Sequence, residues 1–205
     1  VSVRKYDLPD VGLIDSLAET SDCFFWVPDQ LYLVLGQSNL AERSLHTEQV
    51  ISDGVPVLKR PSGGESVILS PQTLVIAVRL ISEKLENPQV YFKKINGAVI
   101  RALQNLGIQD VGYRGISDVT LGNKKILGSS IYRKKKMVFY HAVLNINEDI
   151  SLISKYLQHP PREPDYRKGR DHREFVTSIG EAGYTIDTKE LIDQLKSELG
   201  YSVIQ

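Results

Sequence analysis

The sequence predicts an α/β fold in one domain covering residues 1–205, with more strands than a small doubly wound sheet needs. Three observations carry this reading. Residues 88–106 place apolar side chains at helical spacing, several short β-branched runs fill residues 57–146, and no repeat or Pro/Gly/Ser-rich linker divides the chain. A chain of 205 residues suits one full hydrophobic core.

The elements follow in order. Pro9-Asp10 opens a short helical pattern over residues 9–20 through Val11, Leu13, Ile14 and Leu17. Residues 23–27 and 31–35 read as strands with Pro28-Asp29 as the turn between them, and Gly36 to Asn39 as a loop. A short helix over 46–52 precedes extended pieces at 57–59 and 66–69, which Pro61-Ser62-Gly63-Gly64 separates. Residues 73–80 read as a well-buried strand. Phe92, Ile95, Val99, Leu103 and Leu106 form the stripe of the longest helix, and Gly107 stops it. Extended pieces follow near 111–114, 118–121, 124–132 and 136–146, the last a central strand, with Arg133 to Lys136 as a solvated hairpin tip. Asp149 to Leu157 reads as a helix, 159–173 as a charged, proline-interrupted loop or cover, Glu174 to Ile179 as the start of a helix, and Lys189 to Leu199 as the closing helix.

Bulk properties narrow the function classes. The 25 basic and 25 acidic residues cancel, so the global positive field that favours non-specific nucleic-acid binding is missing. No apolar run of about 18 residues is present, and residues 1–20 lack the basic-then-apolar layout of a secretory signal, so no membrane role and a cytoplasmic location are expected. Cys23 is the lone cysteine, flanked by Phe24, Phe25 and Trp26, and reads as a small hydrophobe. Neither a GxGxxG fingerprint nor a Walker loop occurs.

Two blocks carry chemistry. In KRPSGGESVIL (59–69), Gly63-Gly64 permits a tight turn whose amides face an anion, with Arg60 available as a two-pronged contact. The alternative is a plain hairpin with solvated charges. In LGNKKILGSS (121–130), strict alternation puts Lys125, Leu127 and Ser129 on one face and Lys124, Ile126 and Gly128 on the other, so one lysine points into a pocket. Here the alternative is a hairpin edge with solvated lysines. His141, mid-strand among apolar neighbours, reads either as a satisfied core histidine or as part of a site.

Four ordered blocks together resemble the lipoate-protein ligase A family of the biotin and lipoate attachment superfamily. LVLGQSNLAERSL (33–45) is similar to the family's strand and loop, with Asn39 as its asparagine. KRPSGGESVIL is similar to RRxSGGGxVxH: Arg60, Ser62, Gly63, Gly64 and Val67 match, whereas Lys59, Glu65 and Leu69 depart. SDVTLGNKKILGSS (117–130) is similar to NDxxxxGxKxxGSA: Asp118, Lys125, Gly128 and Ser129 match, whereas Ser117, Asn123 and Ser130 depart. HAVLNIN (141–147) matches at His141 and Leu144.

The resemblance implies a mixed-sheet α/β catalytic domain like those of lipoate and biotin protein ligases, without an evident C-terminal accessory domain. It implies ATP-dependent activation of lipoate or octanoate to an acyl adenylate. The acyl group then passes to a lysine on a carrier, a lipoyl domain of a 2-oxoacid dehydrogenase or a glycine cleavage H-like protein. Lys125 would hold the carboxylate and α-phosphate. Asn39, Arg60, Ser62, Gly63, Gly64, Gly128, Ser129 and His141 would frame the pocket, and Asp118 would help position magnesium or the incoming amine. A separate accessory subunit fits the short chain. Two other roles stay open on the same resemblance: an octanoyl or lipoyl transferase using a pre-activated donor, and a non-catalytic protein that binds lipoate or a lipoyl domain.

Overall fold

The computed structural model describes residues 1–84 and 86–204. Among the described residues ten strands, β1 (Val3–Lys5), β2 (Asp22–Trp26), β3 (Tyr32–Leu35), β4 (Val57–Lys59), β5 (Val67–Leu69), β6 (Thr73–Ile81), β7 (Val111–Arg114), β8 (Asp118–Leu121), β9 (Lys124–Lys134) and β10 (Met137–Asn145), are interspersed with helices. The helices are α1 (Val11–Asp15), α2 (Ala41–Ser44), α3 (Thr47–Ser52), α4 (Pro88–Asn105), α5 (Ile150–Tyr156), α6 (His172–Phe175) and α7 (Thr188–Leu199), and a π-helical turn follows over Gly200–Ile204. Among the described residues no helix is long and apolar enough to cross a membrane.

The strands build two sheets. The larger has six strands in the order β2-β6-β10-β9-β8-β7, and every pair in it is antiparallel. The smaller has four strands in the order β1-β4-β3-β5, parallel at β1/β4 and β4/β3 and antiparallel at β3/β5. The mixed pairing expected from the sequence is thus confined to the small sheet.

Alternation along the strands sorts side chains into layers. Leu74, Ile76, Val78 and Leu80 of β6 and Val138, Tyr140, Ala142 and Leu144 of β10 pack with Ile95, Val99 and Leu103 of α4 and Leu191 and Leu195 of α7. The opposite face of the large sheet, through Val75 and Val143, meets Tyr32 and Val34 of β3. The next residues along β3, Leu33 and Leu35, face outward onto Val50, Ile153, Tyr156 and Phe175 of the small helices. The order is helices, large sheet, small sheet, helices.

Local signals explain the well-read elements. The Asn87 side chain caps α4 by accepting from the Gln89 amide at 3.0 Å, with Pro88 at its first turn. Beyond α4 the Gly107 amide returns to the Gln104 carbonyl. Asp187 caps α7 by accepting from the Glu190 amide.

Several expectations are corrected. The first helix covers only Val11–Asp15, and Leu17 beyond it is 97% exposed. The turn expected at 28–29 links two sheets, because β2 joins the large sheet and β3 the small one. Helical structure at 174–179 is limited to α6. Val176 then bridges Lys125, the Thr177 amide donates to the Lys125 carbonyl, and the Ile179 amide donates to the Asn145 carbonyl. Val176, Thr177 and Ile179 are β-branched, and strand ladders offer them better backbone partners than a helix. The strand β1 and helix α2 were not anticipated, each being too short for periodicity to register.

Leu103 is fully buried between α4 and the sheet. Leu103→Ala is expected to lower stability by about 2–5 kcal/mol, whereas Leu17→Ala should stay within about 0.5 kcal/mol. Urea denaturation checks both.

Candidate active site

The glycine block takes its shape from Arg60. Its guanidinium donates to the Val34 carbonyl (3.3 Å), the Gly63 carbonyl (2.7 Å), the Glu65 carbonyl (2.8 Å) and Ser62 Oγ (3.1 Å). The side chain is buried, and burial lowers its pKa to about 10. The expected fork toward an anionic ligand is therefore corrected. Arg60 spends its donors on its own chain and holds the loop in place.

The loop presses on the start of the residue 36–39 turn. A Cβ at Gly36 would overlap the Gly64 carbonyl oxygen, and Gly64 itself has φ +87°. Asn39 braces the contact: its Oδ1 accepts from the Gly36 amide at 2.8 Å, and its Nδ2 donates to Glu65 Oε2 at 3.3 Å. Glu65, a departure from the family pattern, thus has a local polar partner. Leu69, where the pattern has histidine, is an apolar cavity wall.

The lysine block departs from strict alternation. The register between β8 and β9 shifts: Val119 pairs with Leu127, but Thr120 pairs with Lys125. This β-bulge puts the consecutive residues Ile126 and Leu127 into the same core and turns Lys125 onto the face of Gly128. Lys125 lies across Gly128, where an added Cβ would stand 2.8 Å from both Cε and Nζ. Ser129 is on the other face, and its hydroxyl donates to the Ser117 carbonyl at 2.7 Å. The expected companionship of Lys125 with Leu127 and Ser129 is replaced by one with Gly128 and Ser130.

Lys125 Nζ stands 2.8 Å from Asp118 Oδ1, and the lysine side chain is 28% exposed. The other carboxylate oxygen, Oδ2, accepts from the Tyr166 hydroxyl at 2.7 Å. Burial and the Asp118 charge push the Tyr166 phenol well above its ordinary range, so it stays a donor. Tyr166 belongs to the charged 159–173 segment, which folds over the site, and its ring packs on Phe175. With both oxygens of Asp118 engaged, and no group of three His, Cys, Asp or Glu placed to hold a metal among the described residues, these side chains do not fit a resident magnesium site.

These parts converge. Arg60, Gly64, Asp118, Lys125, Gly128, Ser129 and His141 line one cavity of about 750 Å³ between the two sheets. Its apolar wall includes Val34, Val67, Leu69, Val75 and Val143, and Arg162 and Tyr166 lie at the cover. That volume falls within the roughly 300–1,000 Å³ usual for small-molecule sites. A smaller apolar annex of about 140 Å³ shares Lys125, Gly128, Val67 and Val143 with it and ends on Ile153, Leu157 and Phe175. Of the remaining expected residues, Asn39, Ser62 and Gly63 support the loop from behind. Cys23 lies on β2, half-buried against the core that contains α4 and α7.

Four residues with polar roles escaped the sequence reading. His141 Nε2 is 2.6 Å from Ser62 Oγ, which is 2.9 Å from Ser130 Oγ. On the other side of the ring, Nδ1 is 3.5 Å from Asp10 Oδ2, and Asp10 Oδ1 accepts from the Tyr6 hydroxyl at 2.7 Å. Asp10 read as a helix start, yet its side chain makes no cap bond. Tyr6 meets Asp10 locally, but Asp10, Ser130 and Tyr166 reach His141, Ser62 and Asp118 only through tertiary packing, and local patterns carry no such signal.

Gly128→Ala would push the mobile end of Lys125 aside and leave the backbone untouched, so stability should change by less than about 1 kcal/mol while anion binding at the cavity falls. Gly36→Ala meets backbone instead and should cost about 1–3 kcal/mol or more. Parallel urea melts separate the two. Burial lowers the pKa of His141 below its ordinary 6.5, with Arg60 adding to the effect and Asp10 opposing it. The unfolded chain therefore gains a proton below 6.5 that the folded chain refuses. Stability is full above that pH and falls on acidification by up to about 1.4 kcal/mol per pH unit until the folded histidine protonates. Stability measured from pH 7 to pH 5 should decline less steeply in His141→Gln.

A family model described as the lipoyl protein ligase A/B catalytic domain matches residues 12–200. Lipoate–protein ligase 1 of Staphylococcus aureus (strain Mu50) is 24% identical over 164 residues, covering 80% of this chain and 49% of that protein. The bipartite lipoate protein ligase of Thermoplasma acidophilum, solved in a study with its E2 lipoyl domain, superposes with a TM-score of 0.77 at 22% identity over 88% of this chain and 70% of the other. A lipoate-protein ligase A bound with ATP gives 0.75 at 20% identity, covering 88% and 72%. The biotin protein ligase of Aquifex aeolicus in complex with biotin and ATP is a more distant likeness, with a TM-score of 0.51 at 16% identity over 68% and 53%. The chain spans about half the length of the curated relatives it matches. With this fold, the ordered blocks and the matched residues, the chain belongs to the lipoyl protein ligase A/B catalytic domain family.

Proposed function

We propose that this chain activates lipoate or octanoate with ATP and transfers the acyl group to a carrier lysine. The observation that carries the reading is Lys125. It is laid over Gly128, fixed by Asp118 and set in the wall of a cavity that has both an apolar lining and a glycine loop. An ammonium offers three donors and Asp118 occupies one, leaving two for ligand oxygens.

The first step joins two anions. The carboxylate oxygen attacks the α-phosphorus, an O–P bond forms and pyrophosphate leaves. A fixed positive charge offsets the repulsion between carboxylate and phosphate and gains strength where water is excluded. Lys125 serves both groups. Arg60 acts indirectly, through the Gly63-Gly64 backbone that it holds. Asn39 and Ser62 secure the same loop, while Ser129 and His141 support the facing wall. The acyl chain lies along Val34, Val67, Val75 and Val143.

In the second step a lysine amine attacks the acyl carbon and AMP departs. The 159–173 segment covers the adenylate and limits hydrolysis, with Tyr166 anchoring it to Asp118. The carrier is a lipoyl domain, and a separate subunit or further segment supplies what the longer relatives hold beyond this half. The bipartite archaeal ligase and its E2 lipoyl domain support both ideas. A transferase with a cysteine acyl-enzyme fits less well, because Cys23 sits in the core beside the helices.

Incubation with ATP, magnesium and lipoate, octanoate or biotin, followed by mass spectrometry, tests the reading. Lipoyl-AMP or octanoyl-AMP is expected, and Lys125→Ala should reduce it by at least about 100-fold while the fold persists. An adduct of undiminished yield in Lys125→Ala would refute the role of the lysine, and no adduct even with the accessory subunit present would refute the activity.

A further inference from the structure

Asp10, His141, Ser62 and Ser130 form a polar line from the core to the cavity. Asp10 is fully buried and Ser62 is 1% exposed, whereas Ser130 and His141 are the members that line the cavity. Proton positions along the line follow from its partners. Asp10 Oδ2 is buried and makes no hydrogen bond, and His141 Nδ1 faces it at 3.5 Å. A lone pair pointed at that oxygen would be repelled, so Nδ1 carries the proton and Nε2 is an acceptor. Ser62 therefore donates to Nε2. The two lone pairs of Ser62 then accept from Arg60 Nε and from the Ser130 hydroxyl. Ser130 is left with lone pairs, and no proton, for the cavity.

An acceptor in the wall of a cavity of anionic chemistry needs a donor, and amine attack supplies one. We infer that Ser130 takes the proton lost by the attacking amine and that Ser62 relays it to His141, with Asp10 stabilising the imidazolium. The inference rests on the acyl-transfer reading of the same site. As the nitrogen bonds to the acyl carbon, the carbon–oxygen bond to AMP breaks and its electron pair leaves on the phosphate. One N–H proton passes to Ser130 Oγ, the Ser130 proton to Ser62, and the Ser62 proton to Nε2. The imidazolium returns its proton to solvent after the products leave. Ser130 is the catalytic residue in this step, and His141, Ser62 and Asp10 act through it.

The geometry suits the task. Ser130 is two residues beyond Gly128 on the same face of β9, about 7 Å along the strand, and adjoins Gly64. A carbonyl held at Lys125 thus lies within a side chain's reach of Ser130. The charged and titratable groups facing His141 are Asp10, the Tyr6 hydroxyl behind Asp10, and Arg60. Asp10 favours protonation, whereas burial and Arg60 keep the ring neutral at pH 7 and ready to accept. The third sequence block departs from its pattern at this very position, with Ser130 in place of alanine. Alanine would end the line at Ser62, behind the cavity wall.

The test supplies octanoyl-AMP directly, with Nα-acetyl-lysine amide as the amine, and follows single-turnover amide formation from pH 5 to pH 10. The wild-type rate should fall at acid pH along a limb set by His141. Ser130→Ala should lose about 100-fold near pH 7 and lose that limb, following only the titration of the amine. Ser130→Thr, which keeps the hydroxyl, should restore both. In the unliganded protein, imidazole nitrogen shifts should place the neutral His141 proton on Nδ1. A wild-type rate and pH limb in Ser130→Ala, or a proton on Nε2, would overturn the relay even in an enzyme that forms acyl-AMP. Failure of the wild-type protein to accelerate amide formation would overturn the acyl-transfer reading and the relay with it.

Discussion

The site depends first on a buried cation that spends its donors on its own chain. Arg60 gathers carbonyls from β3 and from two positions of the glycine loop, and it also holds Ser62. Each hydrogen bond to a charged group contributes about 1.5–3 kcal/mol, which offsets the cost of removing the guanidinium from water. One side chain thereby sets the path of residues 60–65, the contact of Gly64 on Gly36, and the orientation of the hydroxyl that meets His141. A flexible loop with the same composition would present neither a defined backbone nor a defined proton network.

The bulge in β9 has a comparable effect on the facing wall. An extra residue in one strand reverses the alternation downstream of it, so Ile126 and Leu127 both anchor in the core while Lys125 and Gly128 share a face. The lysine is held by geometry on three sides: the bulge, the bare backbone of Gly128 and the Asp118 carboxylate. Tyr166 extends this arrangement to the cover segment through the second oxygen of the same carboxylate.

Much of this was legible in the sequence, for reasons that differ by residue. The helix at 88–105 and the strands around 73–81 and 137–145 carry long, consistent periodicity, and local preference agrees with tertiary packing there. Lys125, Gly128, Gly64 and Arg60, which line one cavity, were singled out by the order of four sequence blocks, since each block alone also read as a plain hairpin. The residues that share the face of Lys125 were misread, since a bulge is specified by pairing with β8 and leaves no mark on the strand's own alternation. Asp10 was missed because its partner His141 lies across the fold, and Tyr6 because it acts through Asp10. The segment at 174–179 was misread as helical because its acidic start outweighed the β-branched residues that follow.

Among the described residues the two sheets share no hydrogen-bonded strand pair. Their separation around the cavity is therefore maintained by side-chain packing, through groups such as Tyr6, Leu69, Val75 and Val143, rather than by a backbone ladder. Widening or narrowing the gap costs dispersion contacts and leaves the strand pairing intact. The length of ligand that such an architecture admits can drift by single changes of side-chain volume, with the scaffold of charges and hydroxyls at its far end left in register.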